Sequence, residues 1–371
     1  MLRLEHAYTD VVEEFKYDSL HEQYNMDFLQ WRRHSDSKMV FRFSENNLEN
    51  VYVSGDAAVK QNAASAERGA LMRCGQAIGA ALLVFFITDV AGESLLNAIL
   101  RLFGVEIRMD FIPIPITGSQ WAVVAARCVI QILKYVIPML LLIRISKLPR
   151  HIFAPVNFSG IPEFSAAVGA AMMISGIYAM LAQREAVELA QAIYTYKDTA
   201  AVFAYGAFDT LVASALAELF LRGAVLTLLR QFGDPFAVGV TALLAFLFPN
   251  SMPDRFGDLL IGLAAGYLLI RSGSLTKCIT LHTIYTGLNY ARLVAVYTTR
   301  TLQRWEYSLL LISIGTLALS FYVIMRRHKL HLNNRRIVLS ERQKFGAIAQ
   351  TVTMLPWLAV SVLLTVVQLF Y

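Results

Sequence analysis

Three stretches of the chain place polar or ionisable groups inside otherwise apolar runs: Ala217 to Gly223 (Ala-Glu-Leu-Phe-Leu-Arg-Gly), Phe246 to Asn250 (Phe-Leu-Phe-Pro-Asn) and His282 to Asn289 (His-Thr-Ile-Tyr-Thr-Gly-Leu-Asn). The residue types suit hydrolytic chemistry. A carboxylate such as Glu218 can activate water, and the imidazole of His282 can bond a carbonyl or a water. The amide of Asn250 can donate to an oxyanion. Glu218 and Arg222 lie four apart with the acid on the N-terminal side, the favourable order for an ion pair on one helix. The bland reading of that pair is a buried salt bridge that fixes packing, and an arginine partner makes the carboxylate a weaker base. His282 heads a stripe with Tyr285, Thr286 and Asn289 at i+3, i+4 and i+7, which is also the pattern of an interhelical hydrogen-bond ladder. One histidine and one glutamate fall short of the three protein ligands that zinc takes, so no cofactor is expected and a divalent metal has only weak support.

The elements that must position these groups are membrane-length helices. The chain has 371 residues, 56% apolar and 16% charged, with mean hydropathy +0.51. That is too much apolar surface for a soluble domain to cover. The expected fold is all-α, a polytopic transmembrane helix bundle of about eight or nine spans with a cytoplasmic N-terminal extension. Residues 1–69 form that extension and residues 70–371 the membrane domain. The spans are read at Cys74 to Val90, Trp121 to Ile145, Phe164 to Ala182, Ala200 to Arg222, Asp234 to Pro249, Phe256 to Ile270, Leu275 to Tyr297, Glu306 to Met325 and Gly346 to Phe370. Gln231 to Pro235 reads as a turn between antiparallel helices. Glu218 and Asn250 then lie at matching depths, roughly 20 to 24 Å from it. In the extension, Leu4 to Phe15 has helical apolar spacing, Met39 to Phe43 alternates weakly like a strand, and Ser54 to Arg68 reads as a linker. The sequence predicts no cleavable signal peptide, so the first span acts as the signal anchor.

A formal charge of +6 and pI near 9.2 do not signal nucleic acid, because the cations sit in short loops beside apolar spans. With nine spans, Lys and Arg fall about two to one on the side of the N-terminus. This predicts a cytoplasmic N-terminus and an extracytoplasmic C-terminus. Cys74, Cys128 and Cys278 are dispersed in apolar surroundings and predict neither disulfides nor a zinc finger. Gly262 and Gly266 form a small-xxx-small packing pattern, and Arg127, Gln131 and Lys134 make a polar face on the second span with Asp209 or Glu218 as candidate partners.

At the three motifs the sequence resembles the CPBP family, intramembrane proteases that include the type II CAAX prenyl endopeptidases and bacteriocin-processing or self-immunity proteins. The family pattern is Glu-Glu-x-x-x-Arg, Phe-x-x-x-His and His-x-x-x-Asn on successive helices. It corresponds here to Ala217-Glu218-x-x-x-Arg222, Phe246-x-x-x-Asn250 and His282-x-x-x-Thr286, within a match of roughly 200–290. The resemblance implies a catalytic set of Glu218, His282 and Asn250, supported by Arg222, Thr286 and Asn289, with no metal. Ala217 stands where the family has its general base and Asn250 where it has a histidine. The expected function is therefore a catalytically impaired member, a pseudoenzyme that binds a peptide or membrane-protein partner in the bilayer. The alternatives are an active intramembrane endopeptidase with a rearranged Glu/Asn/His site and a transporter accessory subunit.

Overall fold

A computed structural model describes residues 19–41, 57–108, 114–115, 117–181, 199–248, 252–299, 304–327, 330, 332 and 338–370. The described chain is all-helical apart from a two-residue ladder, Ile107–Arg108 against Ile114–Pro115. Helix α1 is Glu22–His34, α2 Ala57–Leu102, α3 Gln120–Ser146 and α4 Ile161–Leu181. Helix α5 is a continuous run of helical pieces whose apolar span is Phe203–Phe232. It is followed by α6 Asp234–Phe246, α7 Met252–Ser272, α8 Leu275–Thr299, α9 Arg304–Arg326, α10 Glu341–Ala349 and α11 Met354–Phe370.

Among the described residues five helices are long and apolar enough to cross a bilayer: α2, α3, α4, α5 and α9. A sixth span arises if α10 and α11, bent by 92°, count as one. The chain is an integral membrane protein, with five or six candidate spans among the described residues where the sequence suggests eight or nine. Helix α6 is too short to span by itself, and α7 and α8 are not apolar enough to join the five. Helix α8 carries the polar stripe from His282 to Asn289. The last predicted span is broken at 350–353, where the chain crosses the face of α2. Thr353 Oγ1 donates to Gln76 O at 2.7 Å, and a Cβ on Gly79 would lie 2.6 Å from Met354 N. Only a bare glycine face lets the break seat there.

Two readings of the N-terminal region change. The expected linker is helical from Ala57, because Ala57, Ala58, Ala63, Ala64 and Ala66 are strong helix formers. Helix α2 runs unbroken for 46 residues, about 69 Å, more than twice the ~30 Å of hydrocarbon. Met39 to Phe41 is not a strand but a turn, and its backbone is held by Gln231: Phe41 N donates to Oε1 at 2.7 Å, and Nε2 donates to Met39 O at 2.9 Å. The predicted helix over Leu4 to Phe15 lies outside the described residues.

The element the sequence did not reveal, α1, docks on the turn end of the bundle. Tyr24, Phe28 and Trp31 are buried. Trp31 Nε1 donates to Lys147 O at 3.1 Å, and Leu20 N to Arg271 O at 2.8 Å. At the same end the buried Lys344 Nζ caps α5 by donating to Phe232 O at 2.6 Å. Glu67 Oε2 accepts from Val338 N and Leu339 N, fixing the chain ahead of α10 to α2.

Candidate functional site

The site is built on α5 and α8. Two pieces of α5, Asp209–Ala213 and Leu219–Leu226, are wound as wide π-helical turns on either side of the α-helical Ser214–Glu218. Such turns re-aim side chains and recur at functional positions. Between them Glu218 points into the bundle with its side chain wholly buried. Its Oε1 takes two donors, His282 Nδ1 at 2.8 Å and Arg222 Nη1 at 3.1 Å. The bond from Nδ1 fixes the neutral imidazole as the Nδ1–H tautomer, leaving Nε2 as an acceptor.

One helical turn away lies a second rung. Ser214 Oγ and Thr286 Oγ1 are 3.1 Å apart, and Thr286 Oγ1 donates to His282 O at 3.0 Å. Ser214 precedes Glu218 by four residues and Thr286 follows His282 by four, so two antiparallel helices meet at two successive turns. Ser214 was not among the sequence candidates. The signal for it was the antiparallel register itself, since matching the Glu218 and His282 turns brings position 214 opposite 286.

The groups differ in access and in saturation. The Arg222 side chain is 1% exposed and that of His282 17%, so the cluster is reached from the imidazole side. Glu218 Oε2 and the Arg222 Nε and Nη2 groups are buried without a hydrogen-bond partner among the described residues. Gly262 on α7 makes room for the guanidinium, because a Cβ there would sit 2.9 Å from Nη2 as well as 2.8 Å from Ala242 Cα. The small-residue pattern therefore serves helix packing and the arginine together. Ala217 is buried beside Glu218 and offers no titratable group.

The other expected site residues separate. Asn289 makes no hydrogen bond to the Glu218 cluster among the described residues. The Tyr285 ring stands 6.5 Å from that of His282 and packs edge-on to Tyr178, whose hydroxyl donates to Asp254 Oδ1 at 2.7 Å. Asn250 lies outside the described residues. The polar face of α3 finds partners other than those proposed: Arg127 pairs with Glu93, and Lys134 Nζ with Asp89 Oδ1 at 3.1 Å. The cause is the length of α2, which continues past Val90 and carries both acids alongside α3. Among the described residues no group of three or more His, Cys, Asp or Glu side chains is placed to hold a metal ion.

With this geometry in hand, comparison with known proteins gives a family match. A family model described as type II CAAX prenyl endopeptidase Rce1-like matches residues 199–288, a segment that contains Ser214, Glu218, Arg222, His282 and Thr286 and ends one residue before Asn289. No curated protein and no solved structure matches the chain.

Proposed function

We propose that this CAAX-protease-like membrane protein is a catalytically impaired member of its family that holds a peptide or membrane-protein partner against the α5–α8 cluster. The observation that carries this reading is the state of Glu218. Its Oε1 is engaged by both Arg222 and His282, while the neighbouring position, where the family has its base, is Ala217. With two donors on it, Oε1 has its lone pairs occupied and is poorly placed to take a proton from water. Loss of general-base catalysis removes about 10² to 10⁴-fold in rate. What remains is a buried polar group of fixed geometry, reachable past a partly exposed imidazole, which suits recognition.

One observation favours a second reading, an active endopeptidase with a rearranged site that also uses Asn250. Among the described residues Glu218 Oε2 has no hydrogen-bond partner, so it can accept from a water. A transporter accessory subunit, for which Arg127, Lys134 and Asp209 would line a path, is favoured less, since Arg127 and Lys134 are paired with acids of α2.

The test uses purified full-length protein in vesicles with a membrane-anchored prenylated peptide carrying a photo-crosslinker. The expected outcome is crosslinking to α5 or α8 without cleavage. Cleavage by the wild type that is lost in both His282→Ala and Asn250→Ala, with folding retained, installs the second reading instead. The same proposal places the N-terminus and the turn end in the cytoplasm and the C-terminus outside. Reporter fusions at Lys329 and after Tyr371 should then report opposite compartments.

A further inference from the structure

We propose that the cleft between α1 and the connection from α3 to α4 binds the phosphoethanolamine headgroup of a membrane phospholipid. The connection begins after Ser146, where one span ends, and closes at Ile161, where the next begins, so it lies at headgroup depth. The cleft encloses about 420 Å³ and is lined by His21, Tyr24, Asp27, Arg150, His151 and Asn157, with Gly273 at its floor. That volume accommodates a headgroup and its glycerol ester.

The polar lining has the right signs in the right number. Arg150 and His151 are exposed on the single turn Arg150–Phe153, and neither has a partner among the described residues. Arg150 supplies the forked donor that suits a phosphodiester. His21 caps α1 by accepting Tyr24 N on Nδ1 at 3.2 Å, so its proton resides on Nε2 as a further donor. Asp27, on the α1 wall, uses Oδ1 to accept from Gln23 Nε2 at 2.7 Å. A carboxylate in a phosphate pocket argues against a purely anionic ligand. It argues for a zwitterion whose ammonium, with three N–H donors, meets Asp27 while the phosphate meets Arg150.

The far wall is braced. Leu275 N donates to Pro155 O at 2.9 Å, Ser274 Oγ to Asn157 O at 2.7 Å and Lys277 Nζ to Ser159 O at 2.7 Å. At Gly273, which adopts φ +59, the start of α1 packs closely on the turn: a Cβ there would come within 3.0 Å of His21 Cβ and Tyr24 Cβ, so glycine sets the position of the α1 wall. Beside the mouth, Val156, Phe158 and Ile161 stand 66%, 73% and 77% exposed, an apolar rim where the acyl chains of a seated lipid would run.

The experiment measures lipid retention by native mass spectrometry of the full-length protein released from bilayers with equal phosphatidylethanolamine, phosphatidylcholine and phosphatidylglycerol. The wild type should retain the ethanolamine lipid about tenfold over the other two, the range of one charge-assisted hydrogen bond. Arg150→Gln should lower retention of all three, whereas Asp27→Asn should abolish only the preference for ethanolamine over choline. Arg150 is exposed, and Asp27 is half-buried with an asparagine amide able to keep the bond from Gln23, so thermal unfolding should stay at the wild-type value. Soluble phosphoethanolamine should compete and inorganic phosphate should not. Equal retention of the three lipids by the wild type, no effect of Arg150→Gln, or competition by inorganic phosphate alone would each overturn the proposal.

Discussion

Helix α5 supplies the arginine of two acid–arginine pairs at i,i+4 spacing, one at the candidate site and one reaching across the turn to Asp234 of α6, and they are finished differently. At the end, Arg230 Nε bonds Asp234 Oδ1 at 2.9 Å and Arg230 Nη2 bonds Asn25 Oδ1 at 2.8 Å. The guanidinium lies 4.8 Å from the Tyr24 ring centroid and 5.1 Å from that of Phe28. The next residue, Gln231, uses its whole amide on the backbone of 39–41 and on Leu228 O. In the middle of the helix, Glu218 and Arg222 share one bond and a histidine, and three of their polar atoms are buried without a hydrogen bond among the described residues. Unsatisfied buried polar atoms are costly. The first network is the more fully bonded and holds the fold, while the second retains more unused capacity, available to something not part of the fold. The lesson is that the spacing of a pair says little about its role, and the inventory of its leftover atoms says much more.

The largest effect that bears on this contrast is at the more fully bonded pair, Arg230 and Asp234. Asp234→Ala strands Arg230 among aromatic rings, and removing one partner of a buried pair costs about 3 to 5 kcal/mol. Loss of monodisperse protein or a steep fall in thermal midpoint should follow. A nearly silent variant would remove the distinction between the two pairs.

Joint replacement of Glu218 by Leu and Arg222 by Met sharpens the contrast from the other side. Apolar replacement of a whole buried pair is neutral or stabilising by about 1 to 4 kcal/mol, and here it also removes three unsatisfied atoms. Thermal unfolding should stay level or rise while partner crosslinking is lost. A large loss of stability instead would make the Glu218 pair a structural device like its neighbour.

Next in size is Gln231→Ala, which leaves Phe41 N and Met39 O without their partner. A cost of about 1 to 3 kcal/mol is expected, together with faster amide exchange over the described part of the extension, residues 19–41. Unchanged exchange there would mean that the Gln231 amide does not hold the extension in place.

How far the sequence disclosed this arrangement depended on the range of the interaction. Counting rises from the Gln231 turn placed Glu218 in the bundle, and helical spacing put Thr286 with His282, because both are local facts of a 1.5 Å rise. The all-helical class was legible for the same reason, in apolar length. The docking of α1, the use of Asp89 and Glu93 by α3, and the break at 350–353 were not, since each depends on which helix lies opposite. Short polar helices such as α1 have no apolar run to announce them. The π-helical turns around Ser214–Glu218 were also hidden, because a one-residue change of winding leaves no mark in hydrophobic periodicity.

The smallest effect tests whether the second rung belongs to the site or to the bundle. Thr286 Oγ1 uses its one proton on His282 O, so in the 3.1 Å contact Ser214 must be the donor, shared with Asp209 O at 3.3 Å. The bond is thus weakened by a competing carbonyl on its own helix. Interhelical hydrogen bonds in membrane proteins couple by about 0.6 kcal/mol on average, and this one should fall at or below that value in a double-mutant cycle of Ser214→Ala and Thr286→Ala. Thr286→Ala also frees the His282 carbonyl at the turn that carries the imidazole. It should therefore lower partner crosslinking more than its small stability cost accounts for, whereas Ser214→Ala should not. If the cycle returns a coupling well above 1 kcal/mol and both single variants affect crosslinking equally, the rung is part of the scaffold, and the unsatisfied capacity of the site is confined to Glu218 and Arg222.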